Sequence, residues 1–396
     1  MIPRIVVLGS NFAGLTAALE LKERLGEAAK LTVISKDDAF VFTPELIKIA
    51  FGLARRVDAV FPLRETMEAR GIAFRVASIE RIDSARRRVF ASGEVPYDYL
   101  VIAAGSKHAY ESTPGLGPFK GFTHSIFTID EAEMAAAALN EFAKNPGPVV
   151  IGALPGSSFF WLVYEFLFNM AHYVRDRSLD NSPITFVTPE PYIGHFGIGG
   201  YGPATRAARA LCERLGIKQE TNAAIREITR DTVRLADGRE LPFRFAMLAP
   251  NSVGIDPVRA CTEIVDSAGF VKVNDQYQAV GHPEVFAAGA AVSLAPRDVT
   301  PIECGAPKTG HLAEEMAKVV AYNIAASING DRLVAISPEA IDAKTIIDLG
   351  NVAMLVSPDQ YLKMRVPVWT VPGPDAEWAQ DAPHRYFLAS IQRGHL

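Results

Sequence analysis

Apolar positions along this chain follow two periods. Short unbroken apolar runs alternate with stretches of helical spacing, the pattern of buried parallel strands joined by helices. The first run is Ile5-Val6-Val7-Leu8. A turn follows at 9–14, then helical periodicity over 15–25, a helix stop at Gly26 and a second buried run at 31–34. The same strand–turn–helix–strand order begins again near Pro148. Its turn is 152–156, its helix runs to about Arg175, and its next strand is 184–187. Two such units predict an α/β protein with two Rossmann-like dinucleotide-binding domains and an irregular C-terminal cap. The predicted division is 1–110 for the first part of one domain, 111–265 for the second domain, 266–330 for a return to the first, and 331–396 for the cap.

At 396 residues the chain exceeds what one hydrophobic core serves. Apolar residues make up 49% and charged residues 21%, ordinary for a globular protein. The net charge of −5 offers no basic surface for nucleic acid. Three widely spaced cysteines, Cys212, Cys261 and Cys304, make neither a disulfide framework nor a zinc site, so a reducing compartment is expected. No secretory pattern opens the chain. No apolar run reaches the ~18 residues of a membrane span. The longest, 159–168, is broken by Glu165 and reads as a buried helix.

The turn Gly9-Ser10-Asn11-Phe12-Ala13-Gly14 follows a strand and opens a helix. There, backbone N–H groups and the helix dipole favour a pyrophosphate. Asn11 stands at the middle glycine position, and Ser35, followed by Lys36, stands where a ribose-binding acid is usual. By itself the pattern also fits a βα turn without a ligand. The second turn, Gly152-Ala153-Leu154-Pro155-Gly156-Ser157, suits NAD poorly: Leu154 occupies the close-approach position and Pro155 removes a donor.

Further segments carry a resemblance. Tyr97-Asp98-Tyr99-Leu100-Val101-Ile102-Ala103-Ala104-Gly105 and Phe286-Ala287-Ala288-Gly289, the latter followed by Ala290, resemble flavin-site strands of two-dinucleotide-domain flavoproteins. Phe40-Val41-Phe42-Thr43-Pro44, Thr188-Pro189-Glu190-Pro191-Tyr192-Ile193-Gly194-His195 and Pro307-Lys308-Thr309-Gly310 are similar to segments of sulfide:quinone oxidoreductases. The resemblance covers essentially the whole chain. It implies FAD held by Gly9, Asn11, Phe12, Ala13, Gly14, Ser35, Lys36, Thr43, Pro44, Ala103, Ala104, Gly105, Gly289, Ala290, Lys308 and Thr309. It also implies electron transfer to a quinone. In that family sulfide attacks sulfur held between two cysteines beside the flavin. The cysteine positions align here with Phe159 and Thr345, and a third with Phe127, so sulfide oxidation by that route is not expected.

The electron donor is therefore left open, with an NADH:quinone-type reductase and a non-catalytic flavin-binding partner or sensor as the rival readings. Candidate proton-handling groups are Glu165 and His195, Lys308 is the candidate positive charge that stabilises the reduced flavin, and Cys304 is the candidate replacement thiol. The C-terminal stretch with Trp378, Arg385, Tyr386, Phe387, Leu388, Ile391 and Arg393 resembles the family's membrane-docking tail. Packing in a homodimer is its other reading. A cytoplasmic protein, peripheral on the inner face of the cell membrane, is expected.

Overall fold

The computed structural model describes residues 2–200 and 202–337, with Pro203 by backbone alone. It also describes the backbone of 345–348, 352–356 and 368–372. Val, Ile and Leu runs buried on both faces build a six-stranded sheet in the order Gln278–Ala279, His282–Ala287, Tyr99–Ile102, Arg4–Leu8, Lys30–Ser35, Ala73–Val76. All neighbours are parallel except the first pair. A second, wholly parallel sheet has the order Lys218–Glu220, Ile184–Val187, Val149–Ala153, Phe245–Ala249. Each sheet carries the helices that its crossovers require.

The helix Phe12–Leu25 lies against the helix Gly310–Asn329, the most extensive helix pairing among the described residues. Small residues allow it: Ala13, Ala17, Ala313 and Ala317 are all buried between the helices and the sheet. In the second domain the helix Phe160–Asp176 buries Phe160, Trp161, Phe166, Leu167 and Phe168 against its sheet. The apolar stretch broken by Glu165 is this core helix. No helix among the described residues is long and apolar enough to cross a membrane.

The chain leaves the first domain and returns to it along one ribbon, Ser106–His108 paired antiparallel with Ser252–Gly254. Val258, Cys261, Ile264 and Val265 already belong to the first core, so the return crossing lies ahead of residue 266. Conversely, Leu46, Ile47, Ile49 and Ala50 lie in the core of the second domain. The C-terminal residues Trp378, Arg385, Tyr386, Phe387, Leu388, Ile391 and Arg393 lie outside the described residues.

At the base of the first sheet, Asp98 accepts from the Arg4 backbone N–H at 2.8 Å and from the guanidinium at 3.0 and 2.9 Å. These bonds hold its carboxyl down at about 2. A depressed carboxylate stabilises the fold above its unfolded pKa and loses that contribution as pH falls through the folded value. Both side chains are about a third exposed, so solvent screens the pair. Asp98→Asn should therefore cost roughly 1 kcal/mol at pH 7. The gap in urea midpoint between variant and parent should close as the pH falls from about 4 towards 2.

Candidate functional site

Three segments far apart in the chain meet around Phe12. Its ring lies 5.1 Å from that of Phe40 and 6.0 Å from that of Phe42. It also lies so close to Gly310 that a Cβ there would press on the ring. The first Gly-rich turn, the segment leading to Thr43 and Pro44, and the Pro307–Gly310 turn thus form one wall. Gly9 has φ +98°, and a Cβ on it would collide with the Ala103 carbonyl. That close approach puts Ala103, Ala104 and Gly105 beside the turn. Gly289, at φ +68°, leaves only enough room for the Cβ atoms of Ala13 and Ala313.

Asn11 caps the helix without a side-chain capping bond, and its Oδ1 is buried with no partner among the described residues. The first N–H groups of a helix have no intrahelical acceptor. An unspent oxygen, a helix N-terminus and a glycine cradle suit a pyrophosphate and its ribose. Ser35 accepts a bond from Ser10 Oγ at 2.8 Å, so a buried hydroxyl pair stands where an acid is usual. The Lys36 side chain is exposed, beside Asp37. Thr309 spends its hydroxyl capping the Gly310–Asn329 helix, accepting from Leu312 N–H at 3.2 Å. Lys308 Nζ donates to the Ala290 carbonyl at 2.9 Å and sits 3.2 Å above the Phe270 ring centre. Desolvation pulls its amine down to about 7, against the attraction of Asp266.

The second turn is built differently. Gly156 N–H donates to the Glu303 carbonyl at 2.8 Å, and Ser157 N–H to the Leu154 carbonyl at 3.1 Å. Phe159 N–H reaches Ser157 Oγ at 3.4 Å. These donors are consumed internally and by the 303–305 segment, leaving a poor phosphate cradle. Leu154 itself points into the core with Val150 and Val187, so its side chain is not the obstruction expected from the sequence.

Comparison with known proteins places this geometry in a family. The family model for pyridine nucleotide-disulphide oxidoreductases matches residues 3–154. The sulfide-quinone reductase of Aquifex aeolicus is 33% identical over 407 residues, spanning all of this chain and 93% of that protein. The chain belongs to the sulfide-quinone reductase family. The crystal structure of sulfide:quinone oxidoreductase from Aquifex aeolicus matches with a TM-score of 0.90 at 32% identity, covering 99% of this chain and 92% of that one. A type II NADH:quinone oxidoreductase of Mycobacterium tuberculosis is 25% identical over 83% of this chain and 73% of its own. Like its family, this chain is an FAD-dependent oxidoreductase with Rossmann-like dinucleotide-binding domains.

Within this family frame, two of the three positions aligned with cysteines meet in space. The rings of Phe127 and Phe159 are 4.7 Å apart. His108 stacks on Phe127 at 4.2 Å and lies 5.3 Å from Phe159. Thr345 begins a strand, Thr345–Asp348, that packs against the helix which Phe159 precedes. Cys304 is the candidate replacement thiol. It is buried, and burial pushes its thiol to about 12, so at neutral pH it is not the thiolate that attack requires. Cys212, at about 12, and Cys261, at about 11, are inert for the same reason.

Proton handling is also distributed differently from expectation. Glu165 is half-buried on its helix, whereas the fully enclosed carboxyl is Glu190. Glu190 accepts from Thr188 Oγ1 at 2.8 Å, Tyr164 OH at 3.0 Å and Phe196 N–H at 2.7 Å. Burial raises it to about 7, and these bonds pull the other way. Tyr164 OH in turn accepts from Gly194 N–H at 2.7 Å. His195 is fully buried. Its Nδ1 accepts from Gly197 N–H at 3.1 Å and its Nε2 faces Asp298 at 3.1 Å, which fixes Nε2–H as the donor. Glu190 was legible as part of the family-like Thr188–His195 segment. Nothing in the sequence marked it as more enclosed than Glu165.

Glu190→Gln places an amide among donors that need acceptors. It should cost about 2–4 kcal/mol, while Tyr164→Phe costs about 1–2. Thermal unfolding of the FAD-loaded protein measures both, and an unchanged midpoint in Glu190→Gln would reject this clamp.

Proposed function

We propose that this chain is an FAD-dependent oxidoreductase that passes electrons to a membrane quinone from a donor other than sulfide. The carrying observation is that Phe159, at one of the two positions that the resemblance assigns to the reacting cysteines, packs its ring on Phe127, while the chain's own three cysteines are buried. The quinone is supported by the names of the relatives, a sulfide-quinone reductase and type II NADH:quinone oxidoreductases. In this reading Gly9, Asn11, Phe12, Ala13, Gly14 and Ser35 would hold the dinucleotide half of FAD. Thr43, Pro44, Ala103, Ala104, Gly105, Gly289, Ala290, Lys308 and Thr309 would line its flavin half.

When bound, FAD supplies the two-electron carrier. The chain's own residues orient it, keep water away and move protons. Lys308, with an amine near 7, exchanges a proton close to neutral pH and adds positive charge when protonated. Glu190 is matched to the same range, and we assign it, rather than Glu165, to proton exchange behind the site. His195 positions the glycine loop through Asp298. Peripheral attachment to the inner face of the cell membrane through the tail, with packing in a homodimer as its rival, belongs to the same proposal.

A second reading, NADH as donor, is favoured by similarity to the type II enzymes and opposed by the spent N–H groups of the second turn. Anaerobic stopped-flow of the yellow protein decides. Neither sulfide nor NADH should bleach the flavin rapidly, and after chemical reduction a short-chain quinone should restore the colour. Fast bleaching by sulfide would restore the family's donor, and fast bleaching by NADH would establish the second reading. Lys308→Met should lower the flavin's two-electron potential by roughly 20–60 mV, equivalent to about 1–3 kcal/mol, in an equilibrium dye titration.

A further inference from the structure

Lys308 leaves the Pro307–Gly310 turn half-buried, and its contacts lie on two other segments. Among the described residues its ammonium meets no carboxylate. Its direct partners are the Ala290 carbonyl at 2.9 Å and the face of the Phe270 ring, whose centre is 3.2 Å away. Asp266, the acid whose attraction Lys308 feels, spends its oxygens elsewhere. Its Oδ1 accepts from Ala268 N–H at 2.9 Å and Phe270 N–H at 3.0 Å, and its Oδ2 accepts from Ser293 Oγ at 2.5 Å.

Those bonds fix Phe270. Asp266 closes a tight turn in which Gly269, at φ +87°, donates to the Asp266 carbonyl at 3.0 Å. The turn is pinned from both sides. Gly254 N–H donates to the Ala268 carbonyl at 2.9 Å, and a Cβ on Gly254 would collide with the Gly269 carbonyl. Val271 N–H donates to the Ala291 carbonyl at 2.9 Å. That bond ties the turn to the Gly289–Ala291 stretch, so both partners of Lys308 belong to one braced unit. The Phe270 ring is buried. An aromatic face attracts an ammonium through its quadrupole without neutralising it. A touching carboxylate would hold the proton and cancel the charge. Desolvation pulls the amine down to about 7, and an aromatic face works against that.

We propose that Phe270 is a positioning residue for Lys308: its ring holds the ammonium in place and supports its charge with no counter-ion to cancel it. This rests on the reading of the chain as an FAD oxidoreductase with Lys308 at the flavin half. It goes beyond that reading by naming the side chain through which the lysine keeps its charge. Asp266 serves one step further out, by bracing the turn that carries the ring.

The test is a double-mutant cycle on the two-electron potential of the bound flavin, read by equilibrium dye titration of the FAD-loaded full chain at pH 7. Phe270→Leu should lower the ratio of reduced to oxidised flavin at fixed potential roughly threefold to tenfold, about 15–30 mV for two electrons. In the Lys308→Met background the same substitution should change nothing further. Phe270→Tyr keeps the aromatic face and should return the ratio to within about twofold of the parent. If Phe270→Leu fails to fold, a pentafluorophenyl ring at that position keeps the shape, reverses the sign of the face and should lower the ratio in the same way. An equal shift in both backgrounds, or none in the parent, would overturn the proposal and leave the ring a packing residue. An unchanged potential in Lys308→Met alone, or a purified chain without FAD, would overturn the reading beneath it, and the proposal with it.

Discussion

The close packing of the Phe12–Leu25 helix on the Gly310–Asn329 helix is the constraint on which the first domain depends. Buried alanines, Ala13 and Ala17 on one helix and Ala313 and Ala317 on the other, let the two backbones approach. That approach draws the Pro307–Gly310 turn onto Phe12, and through Phe12 onto Phe40 and Phe42. Gly9, wedged against Ala103, then fixes the neighbouring strand end. A larger residue at Ala13 or Ala313 would also strike the space around Gly289. Cofactor-wall geometry and helix packing are therefore the same interaction, and neither can be altered without the other.

Desolvation, more than charge pairing, sets the electrostatics of the interior. Lys308 and His108 are both pulled towards neutrality, and Cys304 and Tyr164 are both held protonated. A site lined this way carries little fixed charge at neutral pH. Charge appearing on a bound cofactor therefore meets groups that can gain or release a proton, as Lys308 and Glu190 can, rather than a standing counter-ion.

Much of this was legible in the sequence because it rests on backbone demands. Both βαβ starts, the turn of Gly9 to Gly14, and the long aromatic helix follow from periodicity and glycine placement. What periodicity cannot convey is which polar group is enclosed. Glu165 interrupts an apolar run and attracted attention, yet helix rotation leaves it half-buried. Glu190 lies in an irregular loop, where no period predicts burial, and its own loop together with Tyr164 of the Phe160–Asp176 helix encloses it. Likewise the occupied N–H groups of the second turn depend on residues 303–305, some 150 positions away, beyond any local reading. Leu154 was read as an obstruction from its place in a glycine pattern. Strand alternation turns it into the core instead.

The meeting of Phe127 and Phe159 bears on how the family's sulfur chemistry was lost from this chain. A ring at position 127 or 159 alone would face a small side chain at the other, and the mismatch leaves either a void or a clash. Here both positions carry rings, and His108 stacks on them. The three side chains are sized to one another. The positions that the resemblance assigns to cysteines are thus packed as part of one aromatic cluster, with no small side chain left between Phe127 and Phe159.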